Sequence, residues 1–327
     1  MTSIPALALL ATIAGVSTLS GRLLVGAFRI RWLMPFEPTR AAASAILGTA
    51  TWIVGFDRLS AAGMPAPRIL AVLALAQAGL LAAAVARGET RVLRPVGSAT
   101  GWIGILASTS VTGVLALLPV LRTSGFDILN DTYIYCAFSE WLQDHSFGIF
   151  AGHDPASPVS AVPALWQEWG FPLGASYALA LAQAGTGALS VAVYPVVSAW
   201  GLVLAAGGIW VAARWALRLS TASAVATAGA FAVLPHPGYW AHHTGFLSQT
   251  FGVPVLLLAI ATAARVERAR TRIASSVALL SVLAACLHAV YVPFLPLIGA
   301  AALAGALAGL WWKHSGPARV RCVALHA

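Results

Sequence analysis

The chain has 327 residues, 59% of them hydrophobic and only 9% charged, with a formal net charge of +9. Soluble domains carry about 25% charged residues, so this composition excludes an ordinary cytosolic enzyme, a secreted disulfide scaffold and a disordered regulator. The cysteines, Cys136, Cys286 and Cys322, form no CxxC pair and have no histidine at metal-ligand spacing nearby, which leaves packing as their role.

A membrane-spanning helix needs roughly 20 mostly apolar residues, because the hydrocarbon core is about 30 Å thick. Segments of that kind lie at 4–21, 41–56, 67–86 and 101–121, and again at 189–213, 219–235, 247–264, 273–292 and 294–312. The predicted fold is an all-α polytopic membrane protein of about nine spans, or ten with 171–188 counted. It divides into a four-helix membrane region (1–121), an outward loop (122–188), a five-helix membrane region (189–312) and a basic tail (313–327). The stretch 171–188 is apolar, but it opens on Phe171-Pro172 and is cut by Gly185 and Gly187. An interfacial or re-entrant helix fits it better than a tenth span.

The basic residues alternate with the spans. Arg22, Arg29, Arg31 and Arg40 follow the first, Arg87, Arg91 and Arg94 the third, and Arg214 and Arg218 the fifth. Arg265, Arg268, Arg270 and Arg272 follow the seventh, and Lys313, Arg319 and Arg321 fill the tail; only Arg58, Arg68 and Arg122 break the pattern. Short loops rich in Lys and Arg stay cytoplasmic, so the N-terminus is expected outside and the C-terminus inside. The positive charge is then an insertion signal, and a nucleic-acid partner is not expected. No positive charge precedes the first apolar run, which predicts an uncleaved anchor rather than a signal peptide. Arg- and Ala-rich usage points to a bacterium, and the expected location is its cytoplasmic membrane.

The acids gather in one place. Asp127, Asp131, Glu140, Asp144, Asp154 and Glu168 all fall in the loop 122–188, together with Phe126, Tyr133, Tyr135, Phe138, Trp141, Phe147, Phe150, Trp166 and Trp169. A long loop with so many aromatics packs against something and carries function. The spacing predicts a helix over 126–145, stopped by Ser146-Phe147-Gly148, with Asp127, Asp131, Tyr135 and Ser139 on one stripe. Glu140 and Asp144 form a second stripe, Trp141 and His145 a third. Two carboxylates a turn apart suit a general base or a divalent cation, whose ligands would be Asp127 and Asp131. The plainer alternative is that Asp127 caps the helix and Asp131 is solvated. Glu140, Asp144, Asp154 and Glu168 read as solvated loop charges.

A second outward segment, 235–244, carries His236, His242 and His243 with Tyr239 and Trp240. These histidines are candidates for holding phosphate oxygens or pairing with the acids; the alternative is hydrogen-bonded histidines among interface-anchoring aromatics. Gln249, near the start of the seventh span, and His288, near the end of the eighth, are polar groups in apolar surroundings and join the candidates. Arg122, just before the acidic helix, has the chemistry to bind a lipid phosphate, or it snorkels to the interface. No P-loop, GxSxG, HExxH or dinucleotide fingerprint occurs, the spans hold almost no charge, and no repeat is evident. Small-residue spacing such as Gly305-xxx-Gly309 accounts for close helix packing.

The stretch Asp127–His145, especially NDTYIYCAFSEWLQDH (130–145), with Trp169-Gly170-Phe171-Pro172-Leu173-Gly174 after it, resembles the polyprenyl-phosphate-sugar-dependent membrane glycosyltransferases of the GT-C class. The resemblance covers loosely 101–292. It implies transfer of a sugar from a polyprenyl-phosphate donor to an envelope acceptor on the outer face, with inversion. Asp131 or Asp127 would be the general base. Arg122, Tyr135, His236, His242, His243, Gln249 and His288 would bind donor and stabilise the leaving phosphate. A transporter or flippase of lipid-linked saccharide, and a non-catalytic partner in envelope polysaccharide assembly, remain the alternatives.

Overall fold

The computed structural model describes residues 3–28, 30, 33, 37–88, 93–123, 131–148, 156, 158–171, 173–234, 237–243, 245–269 and 273–300. Asp127, Asp154, His236, the pair Gly305 and Gly309 and the tail 313–327 lie outside these residues, as does the side chain of His243.

The described residues form, in order, the helices α1 (Ser3–Ala27), α2 (Pro38–Ala61), α3 (Ala66–Ala86), α4 (Ala99–Thr123), α5 (Thr132–Asp144), α6 (Pro158–Trp169), α7 (Gly174–Thr186), α8 (Ser190–Val211), α9 (Thr221–Val233), α10 (Pro237–His243), α11 (Leu247–Ala269) and α12 (Ile273–Val290). A π-helical turn, Ala212–Ala216, extends α8, and a 3₁₀ turn, Val292–Phe294, leads into a further helix at 295–300. No β-strand occurs among the described residues. Five described helices are long and apolar enough to cross a membrane: Ile4–Ala27, Ala66–Ala86, Ala99–Arg122, Ser190–Ala216 and Leu247–Ala264. An all-helical membrane protein is the architecture that satisfies backbone polar groups without water.

Local chemistry sets the limits of the helices. Proline opens both α2 and α3, where its missing N–H costs nothing. The Ser220 hydroxyl accepts the Ser223 N–H and caps α9. Gly187, with φ of 67°, closes α7 in the left-handed conformation that glycine adopts without strain. At 13 residues α7 is about 20 Å long, short of a bilayer core. It lies against α2, α3, α5 and α8.

Packing centres on α8. Its apolar window is 83% buried, against 11% for α3, and it touches α1, α2, α4, α7, α9 and α11. The peripheral helices leave Val72, Leu75, Ile103, Leu106 and Val111 exposed, an apolar surface of the kind a soluble monomer avoids. The closest helix approach joins α1 and α2. A Cβ on Gly21 would sit 1.9 Å from Ser44 O, and one on Gly48 1.8 Å from Ser17 O. Ser17-xxx-Gly21 therefore interlocks with Ser44-xxx-Gly48, small residues letting two backbones touch.

The two ends of the bundle differ. One end gathers Arg22, Arg40, Arg87, Arg94, Arg214 and Arg218, close to where α1, α3 and α8 finish and α2 and α4 begin. The other, the loop end, carries α5, α6, α7 and α10. The chain after α5 rests there on the end of α2: Phe147 N–H donates to Ser60 Oγ at 2.7 Å and Gly148 N–H to Ser60 O at 3.2 Å. A Cβ on Gly148 would come within 2.7 Å of Ala61 O, so only glycine fits that contact.

Candidate functional site

The site forms where α5 crosses the first turns of α8 and α11. Of the expected stripe, Asp131, Tyr135 and Ser139 are described and Asp127 lies outside the described residues; the helix runs from Thr132 with Asp131 at the capping position. That residue has φ −73° and ψ −10°, and its carboxylate makes no capping bond to the helix it opens. It is half-buried, and loss of water raises its pKa above the usual carboxylate range.

One turn on, Tyr135 is only 3% exposed, and its hydroxyl shares a 2.9 Å hydrogen bond with Ser248 Oγ on α11. Burial pushes this phenol up to about 12; the Ser248 bond opposes the shift and the Asp131 charge adds to it. Trp166 of α6 meets the Tyr135 ring edge-on at 6.0 Å. From α8, the Tyr194 hydroxyl faces Thr132 and lies within electrostatic reach of Asp131 and Tyr135. Tyr291, just after α12, also acts on Tyr135. Five segments thus gather a serine, a tryptophan and two further phenols round Tyr135, and Tyr135 and Tyr194 both interact with the half-buried Asp131 carboxyl.

A polar knot fixes α5 in that position. Glu140, expected as a solvated loop charge, instead accepts the Ser190 N–H at the start of α8 at 2.8 Å and the Gln183 side-chain amide of α7. An anion at a helix N-terminus meets donors left over by the helix itself. Ser139 Oγ donates to Gln183 Oε1 at 2.9 Å, and Gln143 Nε2 donates to Ser139 O at 3.0 Å. Trp141 and His145, a turn apart, stack with centroids 4.9 Å apart and planes 7° from parallel.

A cavity of about 210 Å³ lies between α1, α2, α3, α7, α8 and α11. Val197 and Phe251 line it, each three residues beyond Tyr194 and Ser248 and so one turn deeper on the same faces. The lining hydroxyls of Thr12, Thr49 and Thr186 turn back to Ala8 O, Ala45 O and Ala182 O on their own helices. What remains is hydrocarbon wall, and apolar cavities of this order take apolar guests rather than water.

The other described sequence candidates stand in different surroundings. Arg122 is exposed in the last turn of α4, and His288 is exposed near the end of α12. His242 is fully buried: Nδ1 pairs with Ser198 Oγ at 2.7 Å and Nε2 with Ala116 O at 3.0 Å, which ties α10 to α8 and α4. With both ring nitrogens engaged, it does not reach for a phosphate. Gln249 sits on the first turn of α11 beside Ser248, its Oε1 buried with no hydrogen-bond partner among the described residues. That atom is the one orphaned acceptor contributed by the predicted set, and a substrate hydroxyl or water would satisfy it.

Among the described residues no group of three His, Cys, Asp or Glu side chains could hold a metal ion. Sequence reasoning missed Tyr194, Ser248, Tyr291, Trp166 and the role of Glu140. For Tyr194 a signal existed, since a tyrosine inside an apolar span needs a partner for its hydroxyl. The serine and the glutamate gave none, because their partners lie 113 and 50 residues away. The chain matches no known family model, and neither a curated protein nor a solved structure resembles it significantly.

Proposed function

We propose that the protein is a multi-spanning bacterial cytoplasmic-membrane glycosyltransferase that uses a polyprenyl-phosphate-linked sugar, with Asp131 as general base. One observation carries this reading: a half-buried carboxyl, not spent on capping its helix, lies within electrostatic reach of the phenols Tyr135 and Tyr194, and a hydrocarbon-walled cavity is lined one turn beyond Tyr194 and Ser248. A carboxyl of raised pKa is better matched to taking a proton from an acceptor hydroxyl near neutrality. The hydrocarbon wall suits the isoprenoid of a lipid-linked donor. Sugar transfer would proceed by attack of the acceptor oxygen at the anomeric carbon, departure of the lipid phosphate and passage of the acceptor proton to Asp131. Exposed Arg122 and His288, the orphaned Gln249 and, outside the described residues, Asp127, His236 and the His243 side chain are the groups left to hold the phosphate or a divalent cation. Donors aimed at the leaving oxygens act where charge develops.

In this reading the chain spans the membrane about nine times with the loop end outside, and the gathering of arginines at the opposite end supports that orientation. A lipid-linked saccharide carrier is the second reading. Its support is a second cleft, in the half of the bundle nearer the arginine end and lined, like the first, by Trp200. Both are walled largely by hydrocarbon, which gives a saccharide no polar path through the core.

The test is transfer from, or hydrolysis of, a polyprenyl-phosphate hexose in proteoliposomes. Asp131→Asn should cost at least about 100-fold in turnover, the lower end of acid–base assistance. Equal turnover by wild type and variant would remove Asp131 from the chemistry. Movement of the intact donor between leaflets without bond cleavage would favour the carrier.

A further inference from the structure

The second cleft is a binding site in its own right. It has a volume of about 540 Å³ and lies between α1, α2, α4 and α8 in the half of the bundle nearer the arginine end. That volume falls within the roughly 300–1,000 Å³ of small-molecule sites. Space exists because small residues line it: Ala14 and Gly15 on α1, Ala41, Ala42 and Ala45 on α2, and Gly207 on α8. A Cβ on Gly15 would meet nothing within 4 Å, and Leu106 on the facing α4 is exposed, so the cleft opens sideways between α1 and α4. Trp102, Ile105 and Leu204 supply apolar walls, and Trp200, bonded to Thr49 at 3.2 Å, closes it from the first cavity.

Among the described residues one charged side chain lines it. Arg22, 1% exposed, stands at its arginine end, with Nη1 donating to Leu33 O at 2.7 Å. Arg40, paired with Glu37 at 3.0 Å, adds positive potential beside it. From Ala14 to Arg22 the slot runs about 12 Å along α1. Cation at one end, hydrocarbon along the length and a side opening to lipid define an amphiphile with an anionic head. Basic pockets between membrane helices at the cytoplasmic face bind acidic lipid headgroups, and a guanidinium matches phosphate oxygens geometrically.

We infer that this cleft holds one anionic phospholipid, an acyl chain along α1 and α4 and the headgroup phosphate at Arg22. The site is separate from the Asp131 cluster and stands whether or not that cluster catalyses transfer. The test uses the full chain, purified in a neutral detergent and stripped of lipid. Phosphatidylglycerol, phosphatidylcholine and inorganic phosphate are titrated against the wild type, Arg22→Gln and Gly15→Leu, which fills the cleft mouth without touching the arginine. Bound lipid is read by native mass spectrometry and unfolding temperature. Phosphatidylglycerol should bind saturably and stabilise the wild type, with phosphatidylcholine and inorganic phosphate at least about tenfold weaker. Each substitution should weaken phosphatidylglycerol by about tenfold or more, the worth of one hydrogen bond to a charged group. Equal binding of both lipids, stabilisation by phosphate alone, or unaltered binding to Gly15→Leu would each overturn the assignment. Should Arg22→Gln fail to fold, the lipid contrast and Gly15→Leu still decide it.

Discussion

Glu140 offers the sharpest quantitative test, because its role rests on contacts that a solvated loop charge would lack. Glu140→Ala removes the acceptor for Ser190 N–H at the start of α8 and the partner of the Gln183 amide. Hydrogen bonds to a charged group contribute roughly 1.5–3 kcal/mol each, and the helix terminus adds about 0.3–1 kcal/mol for an anion. Water can replace part of that at a half-buried site, so about 3 kcal/mol is the expected loss. Glu140→Gln keeps an acceptor for Ser190 and gives up the charge, and should cost about 1 kcal/mol. The double variant with Gln183→Ala should lose less than the two single variants summed, by about 1 kcal/mol, because they share one interaction. Unfolding followed by tryptophan fluorescence in mixed detergent gives all four values. A Glu140→Ala protein within about 0.5 kcal/mol of wild type, the range of ordinary surface substitutions, would refute the knot.

Asp131→Asn should be inactive yet unfold at the same or a higher temperature, since burial raises the pKa of this carboxyl and its charged form disfavours the folded state. By linkage that penalty is present near neutrality and disappears as pH falls through the raised pKa, so the stability gap between variant and wild type should close on acidification. Turnover should likewise fall on the acid side at a pH above the usual carboxylate value of about 3.9; a limb at that value counts against Asp131 as base. Gly21→Ala and Gly48→Ala, each driving a Cβ to within 2 Å of a facing carbonyl, should destabilise by about 2 kcal/mol or more. Gly79→Ala, with nothing within 4 Å, should stabilise by about 0.5 kcal/mol, and the same sign in all three would contradict the packing. His242→Ala should cost about 2–4 kcal/mol by stranding Ser198 and Ala116 O around a void, which a thermal melt in detergent measures.

Apolar length was a sufficient guide to α3, α4, α8 and α11, because hydrocarbon leaves a helix no partner for its backbone but itself. It served less well for α9, whose 13 residues fall short of the expected 219–235. Register across the loop was harder. The described acidic helix runs from Thr132 with Asp131 as its capping residue, and the expected start at 126 lies outside the described residues; spacing alone cannot tell a last loop residue from a first helical one. Local rules also assigned Glu140 to water, since the donors that hold it come from α7 and α8. Of the site, Asp131 and Tyr135 were visible as a carboxylate and a phenol one turn apart. Tyr194, Ser248 and Tyr291 reach them only through the crossing of α5 over α8 and α11, which no local pattern encodes.

The central place of α8 has a bearing on how the chain is made. Everything from α1 to α7 leaves the ribosome before Ser190, so the earlier helices enter the membrane round a missing axis. Their small-residue seam can close α1 on α2 at once, but the walls that α1, α2 and α4 turn inward stay bare until α8 arrives. Folding is then a two-step assembly in which a half-built ring receives its axle late. Two fragments separated between α7 and α8 should accordingly be degraded when made alone and recover the native fold when made together.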